Sequence, residues 1–182
     1  FLAKSAMAGF FIPAGHVFGQ AVKDSPGKQL RFLKVGVGGM GGSDLKSLTG
    51  NGAVCTGLCD VNQGTLDGAA KNFPGIPTFT DYRVMLDKIA KECDAVCVST
   101  ADHTHATIAL AAMERFIEET TSPDDAIYYA VMDAQNEEEP PLIEEVFRRV
   151  RPRAQLVFNG KVGAVVGTHI GPGTAGFALI AE

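Results

Sequence analysis

The segment Gly36-Val37-Gly38-Gly39-Met40-Gly41-Gly42 constrains the fold of this chain more than any other, because of what flanks it. An apolar run, residues 30–37, leads into it, and Ser43-Asp44-Leu45-Lys46-Ser47-Leu48 follows. That order reads as strand, glycine turn, helix. A dinucleotide pyrophosphate needs the same order: one glycine for the tight turn, one to let backbone approach phosphate, and one to let the helix pack on the strand. The helix start then turns unsatisfied N–H groups and a positive dipole end toward the anion.

The surroundings extend the pattern into a βαβ unit. Ala53-Val54-Cys55-Thr56-Gly57-Leu58-Cys59 reads as a second buried strand, and Asp60 ends it at about the distance where an acid accepts hydrogen bonds from an adenosine ribose. A carboxylate there favours NAD over NADP, since the 2′-phosphate would bring a second anion to short range. An ordinary α/β turn with a surface Asp is the other reading of these residues.

With 182 residues the chain forms one domain, or a domain plus a fragment, and buries a real core. Its net charge of −5, with no basic patch interleaved with aromatics, argues against a nucleic-acid partner. Cys55 and Cys59 share a predicted strand, where four residues span about 13 Å, too far to chelate one ion. Cys97 lies in another predicted strand with Cys93 just before it, so all four cysteines read as small buried apolar residues.

Residues 5–15 are uncharged, follow Lys4, and are too short to span a bilayer. They resemble a signal-peptide core, with Val17-Phe18-Gly19 able to supply the small residues of a cleavage site before Gln20, and residues 21–28 read as a polar lead-in. Phe1-Leu2-Ala3-Lys4 is similar to the stretch after the arginine pair of a twin-arginine export signal. The expectation is a periplasmic protein if a complete signal precedes Phe1, and a cytoplasmic one otherwise. The other reading of residues 1–29 is an apolar arm packed on the domain.

Beyond Asp60, Leu66, Ala69, Ala70 and Phe73 recur at helical spacing until Pro74-Gly75. Pro77-Thr78-Phe79 is a short strand, and Asp81 suits an N-cap for a helix through Tyr82, Met85, Leu86 and Ile89. Residues 94–100 form a continuous apolar run, as in a strand covered on both faces. Thr100-Ala101-Asp102-His103-Thr104-His105 ends that strand, and a helix follows through Ile108, Leu110 and Met113. Ligands in open α/β sheets bind at the carboxyl ends of strands, so this polar cluster is expected near the cofactor. His103 and His105 lack a nearby third ligand, and no metal is expected there.

Val35-Gly36-Val37-Gly38-Gly39-Met40-Gly41-Gly42-Ser43-Asp44, Cys59-Asp60-Val61, Phe79-Thr80-Asp81-Tyr82 and Ser99-Thr100-Ala101-Asp102-His103-Thr104-His105-Ala106 together resemble the N-terminal domain of the Gfo/Idh/MocA family of NAD(P)-dependent sugar oxidoreductases. The likeness covers about residues 1–113. It implies that Gly36, Gly38, Gly39, Met40 and Gly41 hold the pyrophosphate and Asp60 the ribose. Thr100 and His105 would then lie toward the nicotinamide side, and Asp102 is a further cofactor-binding candidate whose other reading is a helix N-cap. Ala101 stands where the family usually has Pro. The family continues with a Glu-Lys-Pro motif whose lysine acts at the substrate hydroxyl, whereas this chain has Glu114-Arg115-Phe116-Ile117-Glu118-Glu119 and no lysine between Lys91 and Lys161.

Residues 114–126 read as an acidic linker with a loop at 120–125. Strand character returns at 126–132, Pro140-Pro141 opens a helix through Leu142, Ile143, Val146 and Phe147, and 154–158 and 174–180 are further strands. The segment Gly167-Thr168-His169-Ile170-Gly171-Pro172-Gly173 resembles the C-terminal end of the DegV family of fatty-acid-binding proteins, a likeness covering about 127–182. It implies that Thr168 and His169 hold a lipid carboxylate.

The whole is expected to be α/β, a Rossmann-like parallel sheet with helices on both faces, truncated and followed by a smaller α/β segment that could complete the sheet's open edge. The function expected is NAD binding in a catalytically incomplete module. Any reaction would be oxidoreduction at a CH–OH group of a sugar or polyol. A fatty-acid or carboxylate-binding protein, and a chimeric chain without evolved activity, are the alternatives. No membrane span is expected, and the sequence leaves an oligomer open.

Overall fold

The computed structural model describes residues 9–11, 29–135, 137–163 and 174–182. These residues divide into two units, the first ending at Ala112 and the second beginning at Met113. None of the described helices is long and apolar enough to cross a membrane.

Strand β2 (Arg31–Val35) lies inside the first sheet because it is buried on both faces. Leu33 and Val35 pack with Met85, Leu86, Ile108 and Ala112 on one side. On the other, Phe32 packs with Leu45, Leu58, Leu66 and Cys97. Parallel strands covered on both faces are the arrangement that βαβ crossovers produce. The remaining elements of this unit are β1 (Gly9–Phe11), α1 (Gly39–Gly50), β3 (Val54–Cys59), α2 (Gln63–Asn72), β4 (Thr78–Phe79), α3 (Tyr82–Ile89), a turn of 3₁₀ helix (Ala90–Glu92), β5 (Ala95–Val98) and the start of α4 (Asp102–Thr120). The sheet order is β1-β5-β2-β3-β4. The last four strands are parallel, as expected of a Rossmann-like half.

The edge of β5 is not completed by the second module, as had been expected. β1 pairs there antiparallel, with Gly9 opposite Val98 and Phe11 opposite Val96, while residues 127–182 build a separate sheet. Three residues of the export-signal-like stretch therefore form a strand on the domain, and the rest of that stretch lies outside the described residues.

Local signals fall where the residues place them. Asn62 caps α2 by accepting from the Thr65 N–H at 3.1 Å, and Asp81 caps α3 by accepting from the Arg83 N–H at 2.9 Å. One irregularity is tertiary: Phe32 pairs with Cys55 but Leu33 with Gly57, so β3 carries an extra residue, Thr56. That bulge reverses the alternation of side chains. Cys55 joins the cluster of Phe32 and Leu45, whereas Cys59 joins that of Leu33 and Met85.

In the second unit, β6 (Ile127–Ala134) lies between parallel β7 (Gln155–Lys161) and antiparallel β8 (Thr174–Ala181). Helix α5 (Glu139–Val150) has Pro140 and Pro141 in its first turn and Arg148 and Arg149 in its last, which suits fixed φ at the start and the dipole at the end. Phe147 stacks on Tyr129, ring centroids 3.9 Å apart, and meets Phe177 edge-on at 5.3 Å. Helix α4 runs on to Thr120, taking in the first seven residues of the acidic stretch, because Met113 and Ile117 are both buried at helical spacing. The buried Arg151 guanidinium donates to the Thr121 hydroxyl at 3.0 Å and the Thr121 carbonyl at 2.7 Å, tying the end of α5 to the turn after α4.

Candidate functional site

The carboxyl ends of β2, β3 and β5 meet around the glycine turn. Gly36 leaves β2 with φ +82°, a left-handed conformation, and its N–H donates to the Cys59 carbonyl at 2.8 Å. A Cβ on Gly36 would collide with the Ser99 carbonyl oxygen, with the Ser99 carbonyl carbon 2.7 Å away. A Cβ on Gly41 would collide with the Gly36 carbonyl oxygen, and one on Gly38 would stand 3.0 Å from Thr65 Cγ2. Gly36 and Gly41 therefore let strand, turn and helix close to backbone contact.

Gly38 is the N-cap of α1, and no side chain caps that helix. The amides of Gly39, Met40 and Gly41 fall in the first turn, where N–H groups have no partner within the helix. Gly39 has open space where a Cβ would be, and the Met40 side chain is 73% exposed. The helix start thus offers a row of backbone donors carried by glycines and one exposed methionine. That cradle fits an anionic diphosphate.

Asp60, next after β3, accepts from the Val37 N–H at 3.0 Å and from the Asn62 N–H at 2.9 Å. Its carboxylate closes one side of the turn and retains lone pairs for a ligand hydroxyl. Thr100 closes the other side: its Cγ2 would be 3.1 Å from a Gly36 Cβ, and its hydroxyl accepts from Thr104 Oγ1 at 2.8 Å. His105 Nε2 lies 2.7 Å from the Thr100 carbonyl, so Nε2 carries the proton and donates. Asp102 opens α4, and its side chain lies outside the described residues.

Family comparison decides what this arrangement is. The model of the Gfo/Idh/MocA family, described as "Oxidoreductase family, NAD-binding Rossmann fold", matches residues 30–120, half of the 182-residue chain. The chain belongs to this family. No curated protein matches it.

In this Gfo/Idh/MocA domain Gly36, Gly38, Gly39, Met40, Gly41, Asp60 and Thr100 converge on one end of the sheet, with His105 bonded to the backbone of Thr100. Thr168 and His169 lie outside the described residues. Among the described residues no three His, Cys, Asp or Glu side chains gather as metal ligands. The cysteines form no disulfide; burial raises Cys55 to about 11, and burial with the Asp60 and Asp81 charges raises Cys59 to about 12.

Sequence reading missed a group directly behind the cradle. Lys34, in the centre of β2, is 0% exposed, and its ammonium donates to the Ser99 hydroxyl. Ser99 Oγ in turn donates to Asp44 Oδ2 at 2.6 Å. Burial pushes Lys34 below its usual value, while Cys97, Asp44 and Cys55 hold it up. The signal available in the sequence was a charge in the middle of a strand that the pattern buries on both faces.

Proposed function

We propose that the first unit binds NAD through the glycine turn, and that Asp60 selects it over NADP. The observation that carries this reading is the start of α1, which no side chain caps, set behind glycines whose Cβ positions are filled by neighbouring backbone. Gly38, Gly39, Met40 and Gly41 would hold the pyrophosphate through backbone N–H groups. Asp60, already fixed by the Val37 and Asn62 amides, would accept from the ribose 2′-hydroxyl and repel a 2′-phosphate. Thr100 and His105 would line the nicotinamide side.

Bound NAD supplies a hydride acceptor, but oxidation of a CH–OH group also needs a residue to take the hydroxyl proton. No lysine lies between Lys91 and Lys161, and Lys34 is sealed in the core and held by Ser99. The reading is therefore a dinucleotide-binding module of oxidoreductase ancestry that lacks its proton-handling cation. Titration calorimetry with NAD and NADP tests it: NAD should bind and NADP bind more weakly, whereas a folded sample giving no heat with either contradicts it.

A second reading applies to the second unit, where β8 begins at Thr174, directly after Gly171-Pro172-Gly173. It takes those residues, with Thr168 and His169, as a carboxylate-binding segment of DegV type. Mass spectrometry of the purified protein should then find a fatty acid that His169→Ala loses; its absence from wild type removes this reading.

A further inference from the structure

We propose that Lys34, Ser99 and Asp44 form a polar clamp behind the phosphate cradle, in which Lys34 neutralises an aspartate that would otherwise repel the diphosphate. The inference rests on the reading of the glycine turn as a dinucleotide site.

An ammonium with no water contact is costly unless it is paired and hydrogen-bonded. Lys34 is fully buried, bonded to Ser99 and close to the Asp44 carboxylate and the Cys55 and Cys97 side chains. The hydroxyl of Ser99 is what makes this burial tolerable. An ammonium has only donors and a carboxylate only acceptors, so the serine accepts from Lys34 and donates to Asp44. Three elements are joined by two charge-assisted hydrogen bonds: Lys34 is on β2, Asp44 on α1, and Ser99 directly follows β5.

Ser99 also fixes the spacing of the cradle itself. Its N–H donates to the Val35 carbonyl at 2.8 Å, and its own carbonyl is the atom against which Gly36 sits and from which a Gly41 Cβ would be 3.2 Å. The clamp and the glycine turn therefore share one residue.

Charge gives the clamp its functional consequence. Asp44 stands five residues after the first residue of α1, about 7.5 Å along the axis from the amides that face the anion. A carboxylate at that range, partly shielded from water, opposes a diphosphate and cancels part of the helix dipole. Lys34 restores neutrality from within the sheet. Cys55, which also faces it, is raised by burial to about 11 and so adds no charge at neutral pH.

Affinities for NAD, ADP and adenosine, measured by calorimetry on the full chain, test the clamp. Asp44→Asn keeps an acceptor for Ser99 but removes the negative charge, so NAD and ADP should bind at least threefold more tightly and adenosine unchanged. Lys34→Met should weaken NAD and ADP at least tenfold, again sparing adenosine, and Lys34→Met/Asp44→Asn should return to within about threefold of wild type. Unchanged or weaker diphosphate binding by Asp44→Asn overturns the inference even if Lys34→Met fails to fold. Equal effects on adenosine and ADP would also overturn it, by reducing the clamp to a structural role. Failure of the wild type itself to bind NAD contradicts the dinucleotide reading instead, and takes the inference with it.

Discussion

Gly36 excludes a side chain for two independent reasons, its φ of +82° and the Ser99 carbonyl against which it lies. Gly36→Ala should therefore lower stability by about 2–4 kcal/mol, as backbone strain and overpacking combine. Gly39 shares the left-handed conformation, φ +49°, but nothing stands near its missing Cβ. Gly39→Ala should cost only about 1–2 kcal/mol, and urea unfolding of both variants checks the difference. The buried thiols supply a pH dependence. An unfolded thiol ionises near 9.0, but Cys55 and Cys59 resist until about 11 and 12. Their contribution is intact below pH 9 and is lost as pH rises through 9 toward those values. Cys59→Ala should flatten the alkaline fall in stability relative to wild type; equal slopes contradict the assignment. Burial of Lys34 acts with the opposite slope, so the difference between variants, not the wild-type curve, is the measurement. The glycines were legible in the sequence because their constraint is local backbone geometry. The Lys34, Ser99 and Asp44 clamp was not, because it exists only once three elements distant in sequence are packed together.

Between elements, Gly57 sets how closely α3 lies on β3. A Cβ there would stand 2.6 Å from Ile89 Cδ1 and 2.9 Å from Leu33 Cδ2, both ends of side chains that can shift only at the expense of the core. Gly57→Ala should cost about 1–3 kcal/mol. Ile89→Val removes the closest atom, so Gly57→Ala/Ile89→Val should be more stable than the sum of the single variants predicts; strict additivity in denaturant unfolding contradicts this packing. Helices α2 and α3 were readable from their apolar spacing, and α3 also from Asp81, since a cap and an amphipathic face act within one element. The bulge at Thr56 was not, because it is a property of the pairing between β2 and β3. Likewise, the acidic composition of residues 114–120 suggested a linker. Burial of Met113 and Ile117, with the Arg149–Glu114 pair at 2.7 Å, carries α4 through it.

At the scale of the whole chain, each unit has its own sheet: four parallel strands with β1 at the edge in the first, and β7-β6-β8 in the second. The parallel strands of the first unit followed from the βαβ pattern, whereas pairing of β1 with β5 did not, because residues 9–11 are too short and uniform to signal a strand. The dinucleotide binding proposed above belongs to the first unit, at the carboxyl ends of β2, β3 and β5. Amide NMR spectra of the labelled chain, titrated with NAD, test that most directly. The account predicts shifts centred on Gly38, Gly39, Met40 and Gly41, extending to Asp60 and Thr100. Spectra unchanged at millimolar NAD, or shifts confined to residues 127–182, would contradict it.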